Sequence, residues 1–257
     1  AAVLLKMGTY GFLRFAMPFF PVASHFIGPT LAVFAVIGII YGAYCAWAQR
    51  DVKKLVAYSS VSHLGFVMLG LFSLTPAGIS GAILQMVNHG ISTGALFLLV
   101  GVIYERRHTR KIADFGGLWT VIPVYSVIFL VVMLSSVGLP GTNGFVGEFL
   151  ILLGAFKAKW WYAAIAVTGV IFGAAYFLWY YERAMLGPLT KQISGAVKDL
   201  HMREITIALS LSVMILWIGL YPSPFLRMMN GSIQAVVDRL DRAKVATAET
   251  IVRIPGK

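Results

Sequence analysis

The stretch SSVGLPGTNGFVGEFLILLG, residues 135–154, decides how this chain is interpreted. Both of its ends are apolar enough for the interior of a lipid bilayer, yet between them stand Pro140, four glycines and the carboxylate of Glu148. Proline interrupts a helix because it lacks an amide proton and its ring clashes with the preceding turn. Irregular backbone at membrane depth is tolerated only inside protein or beside a water-filled cavity. The stretch therefore predicts a broken membrane helix with an acid on its second half.

The break itself is expected to consist of helix-breaking and capping residues. Proline stops the first half, glycines relax the backbone, and the side chain of Thr142 or Asn143 caps the second half. The residues assigned to the break are Gly138, Pro140, Gly141, Asn143 and Gly144. Interrupted helices build the ion sites of many transporters, which makes Glu148 a candidate functional group. The alternative is a kinked packing helix with a stray glutamate, although an unpaired acid at this depth is costly.

Composition places the chain in a membrane. Of its 257 residues, 59% are hydrophobic and 12% are charged, about half the charged share of a soluble domain. The net charge of +11 comes from Lys and Arg in the loops between apolar runs. That distribution is the positive-inside pattern of membrane proteins, so nucleic acid is not expected as a partner. The one cysteine, Cys45, excludes a disulfide framework and a cysteine-based metal site.

Seven apolar runs come close to or exceed the ~20 residues that a helix needs to cross the hydrocarbon. They cover residues 1–20, 28–49, 54–74, 77–104, 118–157, 160–181 and 204–221. The fifth run is too long for one simple span and contains the predicted break. The predicted fold class is therefore all-α, a polytopic transmembrane helix bundle of seven membrane segments with one broken helix. Residues 1–224 are assigned to the transmembrane domain and residues 225–257 to a surface tail that is amphipathic or flexible.

Four ionisable residues lie far from the ends of these runs, namely Lys6, His63, His89 and Glu148. At ~1.5 Å per helical residue, each lies about 14–20 Å from the nearest end marker. A charge at mid-bilayer costs at least ~2.5–3.5 kcal/mol, and such residues usually mark ion or proton paths. All four residue types carry protons. We expect their side chains to point into the bundle in a rough line near mid-depth, with gaps bridged by water.

Polar side chains accompany these groups, most of them three or four residues away on the same helix face. They are Tyr10, Ser59, Ser60, Gln85, Asn88, Ser92 and Thr93. We expect them to hydrogen-bond the ionisable groups and hold water, and we expect a cation such as Lys6 to stabilise the charged form of Glu148. The two histidines stand on different helices without a local ligand pair, so no metal site is predicted.

Four long stretches carry motifs of a known family. They are LLKMGTYGFLRF (4–15), DVKKLVAYSSVSHLGFVMLG (51–70), QMVNHGISTGALFLLVGVIYERRHTRKIADFGGL (85–118) and GLPGTNGFVGEFLILLGAF (138–156). These stretches resemble the antiporter-like subunits of the proton-pumping NADH:quinone oxidoreductase, respiratory complex I. The resemblance implies two inverted five-helix repeats, each with a broken helix, and a row of buried Lys, His and Glu across the membrane centre. By that resemblance, this chain holds the last helix of the first repeat, the second repeat and one further helix.

The resemblance also implies roles for individual residues. Lys6 matches the central lysine of the family, His63 and His89 match the bridging groups, and Glu148 matches the terminal residue on the second broken helix. Glutamate at that terminal position is typical of the M-type branch, whereas the L-type and N-type branches carry lysine. The D-type subunit of Mrp cation/proton antiporters also carries glutamate there, so an Mrp-type complex or a related hydrogenase membrane arm remains an alternative. A non-conducting membrane scaffold is the second alternative.

In this family, proton translocation is coupled to electron transfer in other subunits. The resemblance therefore implies that NADH, flavin, Fe–S clusters and quinone are bound by partner subunits, with no cofactor in this chain. The implied partners are other membrane-arm subunits, especially the L-type and N-type ones, and the lipid bilayer. The implied location is the bacterial inner membrane. The first broken helix of the family, with its own lysine and glutamate, matches no part of this sequence.

Overall fold

The computed structural model describes residues 2–189 and 197–252 of the chain. Within these ranges the backbone forms helices and connecting turns, with one isolated β-bridge between Asp51 and Lys111. The predicted all-α fold class is confirmed for the described residues. The last five residues of the predicted tail, 253–257, lie outside them.

The α-helices of the described part follow one another in chain order. They are α1 (Leu5–Gly11), α2 (Met17–Phe19), α3 (Pro21–Trp47), α4 (Val52–Phe72), α5 (Pro76–Arg107), α6 (Leu118–Val121), α7 (Pro123–Val137), α8 (Asn143–Ala158), α9 (Trp160–Tyr181), α10 (Met202–Leu220) and α11 (Ser223–Val252). Single stretches of π-helix at Phe12–Ala16 and Glu182–Leu186, and a 3₁₀ turn at Ile112–Asp114, complete the helical elements.

Five described helices are long and apolar enough to cross a bilayer: α3, α4, α5, α10, and α9 with its π-helical extension. The chain is accordingly an integral membrane protein. α7 is apolar but shorter, as expected for half of a broken helix. The predicted total of seven membrane segments stays a prediction.

Local sequence signals set the helix ends near the predicted positions. Asp51 caps α4, because its carboxylate accepts the backbone N–H groups of Lys53 and Lys54 at 2.8 and 3.2 Å. Thr75 caps α5 in the same way, and Pro76 takes the first helical position, where its missing N–H costs nothing. α3 begins at Pro21 rather than near residue 28, because Pro29 is accommodated inside the helix.

The broken helix is confirmed. α7 ends at Val137, and Gly138 takes the left-handed conformation with φ +81°, which lets the N–H of Leu139 reach the Leu134 carbonyl at 3.0 Å. Gly138 therefore ends the helix, and Pro140 lies exposed in the turn beyond it. A second left-handed glycine, Gly141 with φ +93°, reverses the chain before α8 begins.

Of the two residues predicted to cap α8, Asn143 bonds the helix start and Thr142 does not. The Thr142 hydroxyl donates a hydrogen bond to the Leu139 carbonyl at 2.7 Å, and the Thr142 side chain accepts none from the N–H groups of α8. Asn143 Oδ1 instead accepts the N–H of Gly144 at 2.9 Å. The turn thus uses Thr142 to close itself and Asn143 to satisfy the new helix end.

α4, α5 and α8 pack together and carry most of the buried polar groups. α5 and α8 approach closely, since a Cβ at Gly81 would lie 2.7 Å from the backbone nitrogen of Ile151. The same contact brings the Gln85–His89 turn of α5 beside the first turns of α8. Apolar clusters around Phe129 and Phe66 fill the remaining core.

Much of the predicted tail forms the amphipathic helix α11. Its residues Ile233, Val237 and Leu240 are buried against α2, α3 and α5. His25 Nε2 lies 3.0 Å from the Leu240 carbonyl and fixes the helix to α3. The division of the chain into two domains at residue 224 stays a prediction.

Candidate functional site

Each of the four predicted ionisable residues comes from a different helix. Lys6 lies on α1, His63 on α4, His89 on α5 and Glu148 on α8. The two histidines and the glutamate are at most 7% exposed, whereas Lys6 is half-buried. The side chains of all four point into the bundle and take part in contacts with one another.

Glu148 is held by three parts of the structure. His63 Nδ1 lies 3.0 Å from Glu148 Oε1, and Gln85 Nε2 donates to the same oxygen at 3.2 Å. The other carboxylate oxygen, Oε2, faces the break, where a Cβ added to Gly138 would lie only 2.9 Å from it. The carboxylate is thus fixed between α4, α5 and the turn that interrupts the broken helix.

Lys6 contacts His89, not Glu148. Lys6 Nζ lies in direct hydrogen-bond contact with His89 Nδ1. α1 packs on the same face of α5, where the Thr9 hydroxyl donates to Met86 Sδ, one turn before His89. Lys6, the cation expected near the carboxylate, thus contacts His89, and His63 is the group in contact with Glu148.

The four groups form two contacting pairs that meet at the histidines. The imidazole rings of His63 and His89 are 5.5 Å apart between centroids and inclined by 63°. The expectation that all the gaps would be too long for direct hydrogen bonds is wrong for the two pairs, because close packing of α1, α4, α5 and α8 brings their side chains together. It holds only between the two rings.

The donor and acceptor inventory gives these contacts a direction. With Lys6 as an ammonium, which only donates, and Glu148 as a carboxylate, which only accepts, His89 Nδ1 accepts from Lys6 and His63 Nδ1 donates to Glu148. In the neutral rings, His89 then carries its proton on Nε2 and His63 presents an unprotonated Nε2. In this protonation state every donor in the row points from Lys6 toward Glu148.

A small cavity lies where the two rings meet. It offers about 10 Å³ of room for the centre of a water molecule, which is about the space that one water needs. Both Nε2 atoms are buried without a protein partner in the described part of the chain. The cavity is lined by His63, Gln85, Asn88, His89, Ser92, Thr93, Ser135, Ser136 and Gly144.

Asn143 joins the site to the break. Its Oδ1 accepts from the hydroxyls of Ser135 at 2.5 Å and Ser92 at 3.3 Å, and its carbonyl accepts from Asn88 Nδ2 at 2.6 Å. Asn88 Nδ2 also lies 3.4 Å from Gln85 Oε1. A continuous network therefore runs from the start of α8 through α5 to the residue that holds the carboxylate.

The predicted supporting residues divide into two groups. Gln85, Asn88, Ser92 and Thr93 lie at the cavity, as described above. Ser59 and Ser60 are buried but donate to the Val56 carbonyl of their own helix at 2.8 and 3.1 Å, so the hydrogen bonds that these hydroxyls donate do not go to His63.

Tyr10 is not part of the site. Its side chain is 48% exposed, because the face of α1 that carries it turns away from α5. The spacing of four residues from Lys6 placed Tyr10 near the right face. The burial of Thr9 and its hydrogen bond to Met86 on α5 show that Thr9 is the inward residue instead.

Sequence reasoning missed Ser135 and Gly147. Ser135 lies on the last turn of α7 and bonds both Ser92 and Asn143. Gly147 leaves the space that Gln85 and Asn88 occupy, since a Cβ there would collide with Gln85 Oε1. Both belong to the stretch that predicted the break, and the position of Gly147 beside Glu148 was the available signal.

The described residues hold no group of three or more His, Cys, Asp or Glu side chains arranged to bind a metal ion. The groups that meet at the site, a lysine, two imidazoles and a carboxyl group, all carry exchangeable protons.

Comparison with known proteins gives a consistent result. Residues 1–173 match the family described as NADH:quinone oxidoreductase/Mrp antiporter, transmembrane. The chain is 48% identical over 237 residues to NADH-quinone oxidoreductase subunit M of Rhodobacter capsulatus, covering 92% of this chain and 46% of that protein. It spans about half the length of the curated relatives it matches.

Solved structures share the fold. One chain of respiratory complex I from Thermus thermophilus with bound NADH superposes with a TM-score of 0.87 at 39% identity, covering 93% of this chain and 50% of that one. A chain of the Mrp complex from a Dietzia species superposes with a TM-score of 0.82 at 22% identity, covering 93% of this chain and 52% of that one. The second likeness concerns the fold alone.

Proposed function

This chain belongs to the NADH:quinone oxidoreductase/Mrp antiporter transmembrane family, and from that membership we propose that it forms a proton-translocating part of a membrane subunit of NADH:quinone oxidoreductase. The observation that carries the proposal is the row of four titratable groups, in which Lys6 contacts His89, His63 contacts Glu148 and the two imidazole rings face each other. A bilayer-embedded scaffold does not need such a row, because each buried ionisable group costs free energy of insertion.

The proposed transfer begins at Lys6. Its ammonium gives a proton to His89 Nδ1, and His89 releases the proton that it carries on Nε2 into the cavity between the rings. His63 takes up a proton from that cavity at Nε2 and passes its Nδ1 proton to Glu148 Oε1 over 3.0 Å. One passage leaves Lys6 neutral, Glu148 protonated and each imidazole neutral in its other tautomer.

The surroundings of Glu148 suit a group that loads and releases a proton. Glu148 is buried, and its carboxylate is held by hydrogen bonds from His63 and Gln85. Small displacements of α8 or of the break change these contacts, because the carboxylate also lies against Gly138. Proton release is proposed to follow such a displacement.

Electron transfer is proposed to take place in partner subunits. The proposed partners are other membrane-arm subunits, especially those of the L and N types, and these or further subunits would hold NADH, flavin, Fe–S clusters and quinone. The proposed location is the bacterial inner membrane, supported by the Rhodobacter relative. A D-type subunit of an Mrp-like cation/proton antiporter is the second candidate, supported by the family match and by the shared fold. The higher identity to the NADH-quinone oxidoreductase relative favours the first.

The test is Glu148→Gln in the assembled complex. Gln keeps the size and hydrogen-bonding capacity of the side chain but cannot exchange a proton, and losing a buried charge removes its desolvation cost. We expect normal assembly on native gels and loss of most coupled proton uptake in vesicles, with quinone reduction slowed if coupling is tight.

Two control variants separate proton transfer from general damage. Glu105→Gln makes the same chemical change at an exposed carboxylate near the end of α5, and Lys157→Gln removes an exposed charge in the last turn of α8. Both should pump as the unaltered complex does. Normal pumping by a fully assembled Glu148→Gln complex would reduce the carboxyl to a packing role and support the scaffold alternative.

A further inference from the structure

A second group of charged side chains lies away from the row formed by Lys6, His63, His89 and Glu148. A groove with about 430 Å³ of space separates the first helical segment from α11. The first segment contributes Arg14, Phe15 and Phe19 to its wall, and α11 contributes Ser232, Val236 and Arg239. We refer to it as the Arg14 groove.

The charge in this groove has one sign. Arg14 and Arg239 are both exposed, and the described residues that line the groove include no Asp or Glu. Arg239 Nη1 lies 3.5 Å from the Pro18 carbonyl, which holds its guanidinium against the end of the first segment. The neighbouring acid, Asp238, accepts from Gln234 Nε2 at 2.8 Å.

The rest of the wall is apolar and faces outward. Phe15 and Phe19 are 55% and 68% exposed, with ring centroids 6.3 Å apart. Arg14 lies four residues before Pro18, about 6 Å along a helix, and the first segment ends just beyond it at Phe20; we infer that this end lies near the lipid headgroups. Two guanidinium groups at headgroup level above an aromatic, apolar wall match the layout of a phospholipid.

We propose that the Arg14 groove binds one anionic phospholipid, with the phosphate between the guanidinium groups of Arg14 and Arg239. Guanidinium forks match phosphate oxygens in a bidentate manner, and Ser232 adds a hydroxyl donor. The acyl chains lie along Phe15 and Val236. The lipid thereby joins α11 to the first segment, which carries Lys6, without taking part in proton transfer.

A contrasting groove provides the control. Between α5 and α10, the described lining residues include Arg203, but the carboxylates of Glu105 and Glu204 accompany it. This groove has about 260 Å³ of space and a net negative lining. Arg203→Gln therefore removes an exposed arginine from a membrane-end groove that should not prefer an anionic lipid.

The experiment is a titration of the delipidated complex, containing the complete subunit, with phosphatidylglycerol, and retained lipid is counted by native mass spectrometry. Each arginine near an anionic lipid contributes a factor of about five, so Arg14→Gln with Arg239→Gln should weaken one site about 25-fold. Binding of phosphatidylcholine should not change in that double variant, and Arg203→Gln should leave phosphatidylglycerol binding unchanged. If the double variant fails to assemble, Arg14→Gln alone should weaken the site about fivefold.

Three results would overturn the proposal. The first is equal phosphatidylglycerol binding by the unaltered complex and the arginine variants. The second is competition by inorganic phosphate as effective as that by the lipid, which would make the groove a site for free anions. The third is a protein segment of the complete complex seated in the groove, detected by crosslinking from the variant Ser232→Cys. Because lipid binding is measured without turnover, a failure here is distinct from a failure of the proposed proton path.

Discussion

Gly138→Ala tests whether the break positions the carboxylate. Gly138 has φ +81°, and an alanine in the left-handed region costs about 1–2 kcal/mol. The added Cβ would also lie 2.9 Å from Glu148 Oε2, about 0.5 Å closer than the 3.4 Å at which ordinary contacts begin. The carboxylate, at the end of a flexible side chain, is the part that must yield.

The displacement has a calculable effect on proton transfer. A carboxylate that yields by about 0.5 Å cannot keep its 3.0 Å contact with His63 within the usual 2.7–3.2 Å range, whether it is pushed toward the imidazole or turned away from it. A hydrogen bond to a charged group contributes about 1.5–3 kcal/mol, so its loss should slow transfer to Glu148 by about 10- to 100-fold. The loss of proton-transfer rate in Gly138→Ala should be larger than the loss of complex stability accounts for.

Gly141→Ala is the matched control for backbone strain. Gly141 has φ +93°, but its added Cβ would meet only Leu220 Cδ2, at an ordinary 3.7 Å. Both alanine variants should lower thermal stability by similar amounts, while only Gly138→Ala should lose proton uptake in vesicles at equal complex content. Equal proton uptake by the two variants would refute the role assigned to the Gly138 contact.

Further predictions concern the network around the site. Gln85→Leu removes the 3.2 Å donor to Glu148 at similar volume and should lower the rate of proton uptake about tenfold in an assembled complex; an unchanged rate would show that His63 alone holds the carboxylate. Asn143→Ala removes the side-chain oxygen that accepts from the Ser135 hydroxyl and the Gly144 N–H, at about 1–3 kcal/mol for each buried donor left unpaired, so the complex should lose thermal stability; an unchanged melting temperature would contradict the joining role of the Asn143 side chain. Asp199→Ala removes the acceptor for two N–H groups at the start of α7 and should cost about 1 kcal/mol of stability without slowing proton uptake, so a pumping defect at full assembly would be unexpected.

The position of the break could be predicted because its causes are local. Proline, glycines and a capping asparagine act within a few residues of themselves, and the interruption lies where the sequence placed it. The sequence did not show which residue ends the first half of the broken helix. In the structure Gly138 ends α7, and Pro140 lies in the turn beyond it. A left-handed glycine and a proline two residues later give the same signal in a sequence.

The sequence predicts which ionisable groups face the interior, because placing them in lipid costs free energy. It does not predict which of these groups contact one another. Burying Lys6, His63, His89 and Glu148 in a bilayer is expensive, so each had to face protein or water. Which of them touch depends on how α1 rotates and on how closely α5 approaches α8, and both are set by packing between distant segments. The contact of Lys6 with His89 and the outward position of Tyr10 follow from that packing.

The most direct test of the proton path is to observe the Glu148 carboxyl changing its protonation state during turnover. Infrared difference spectra of the complex, recorded as electron transfer is triggered by NADH and quinone, report carboxyl groups that gain or lose a proton. The account predicts a carboxyl band that is present in the unaltered complex and in Glu105→Gln, and absent in Glu148→Gln. Identical carboxyl bands in all three complexes would contradict it, because Glu148 would then keep one protonation state throughout.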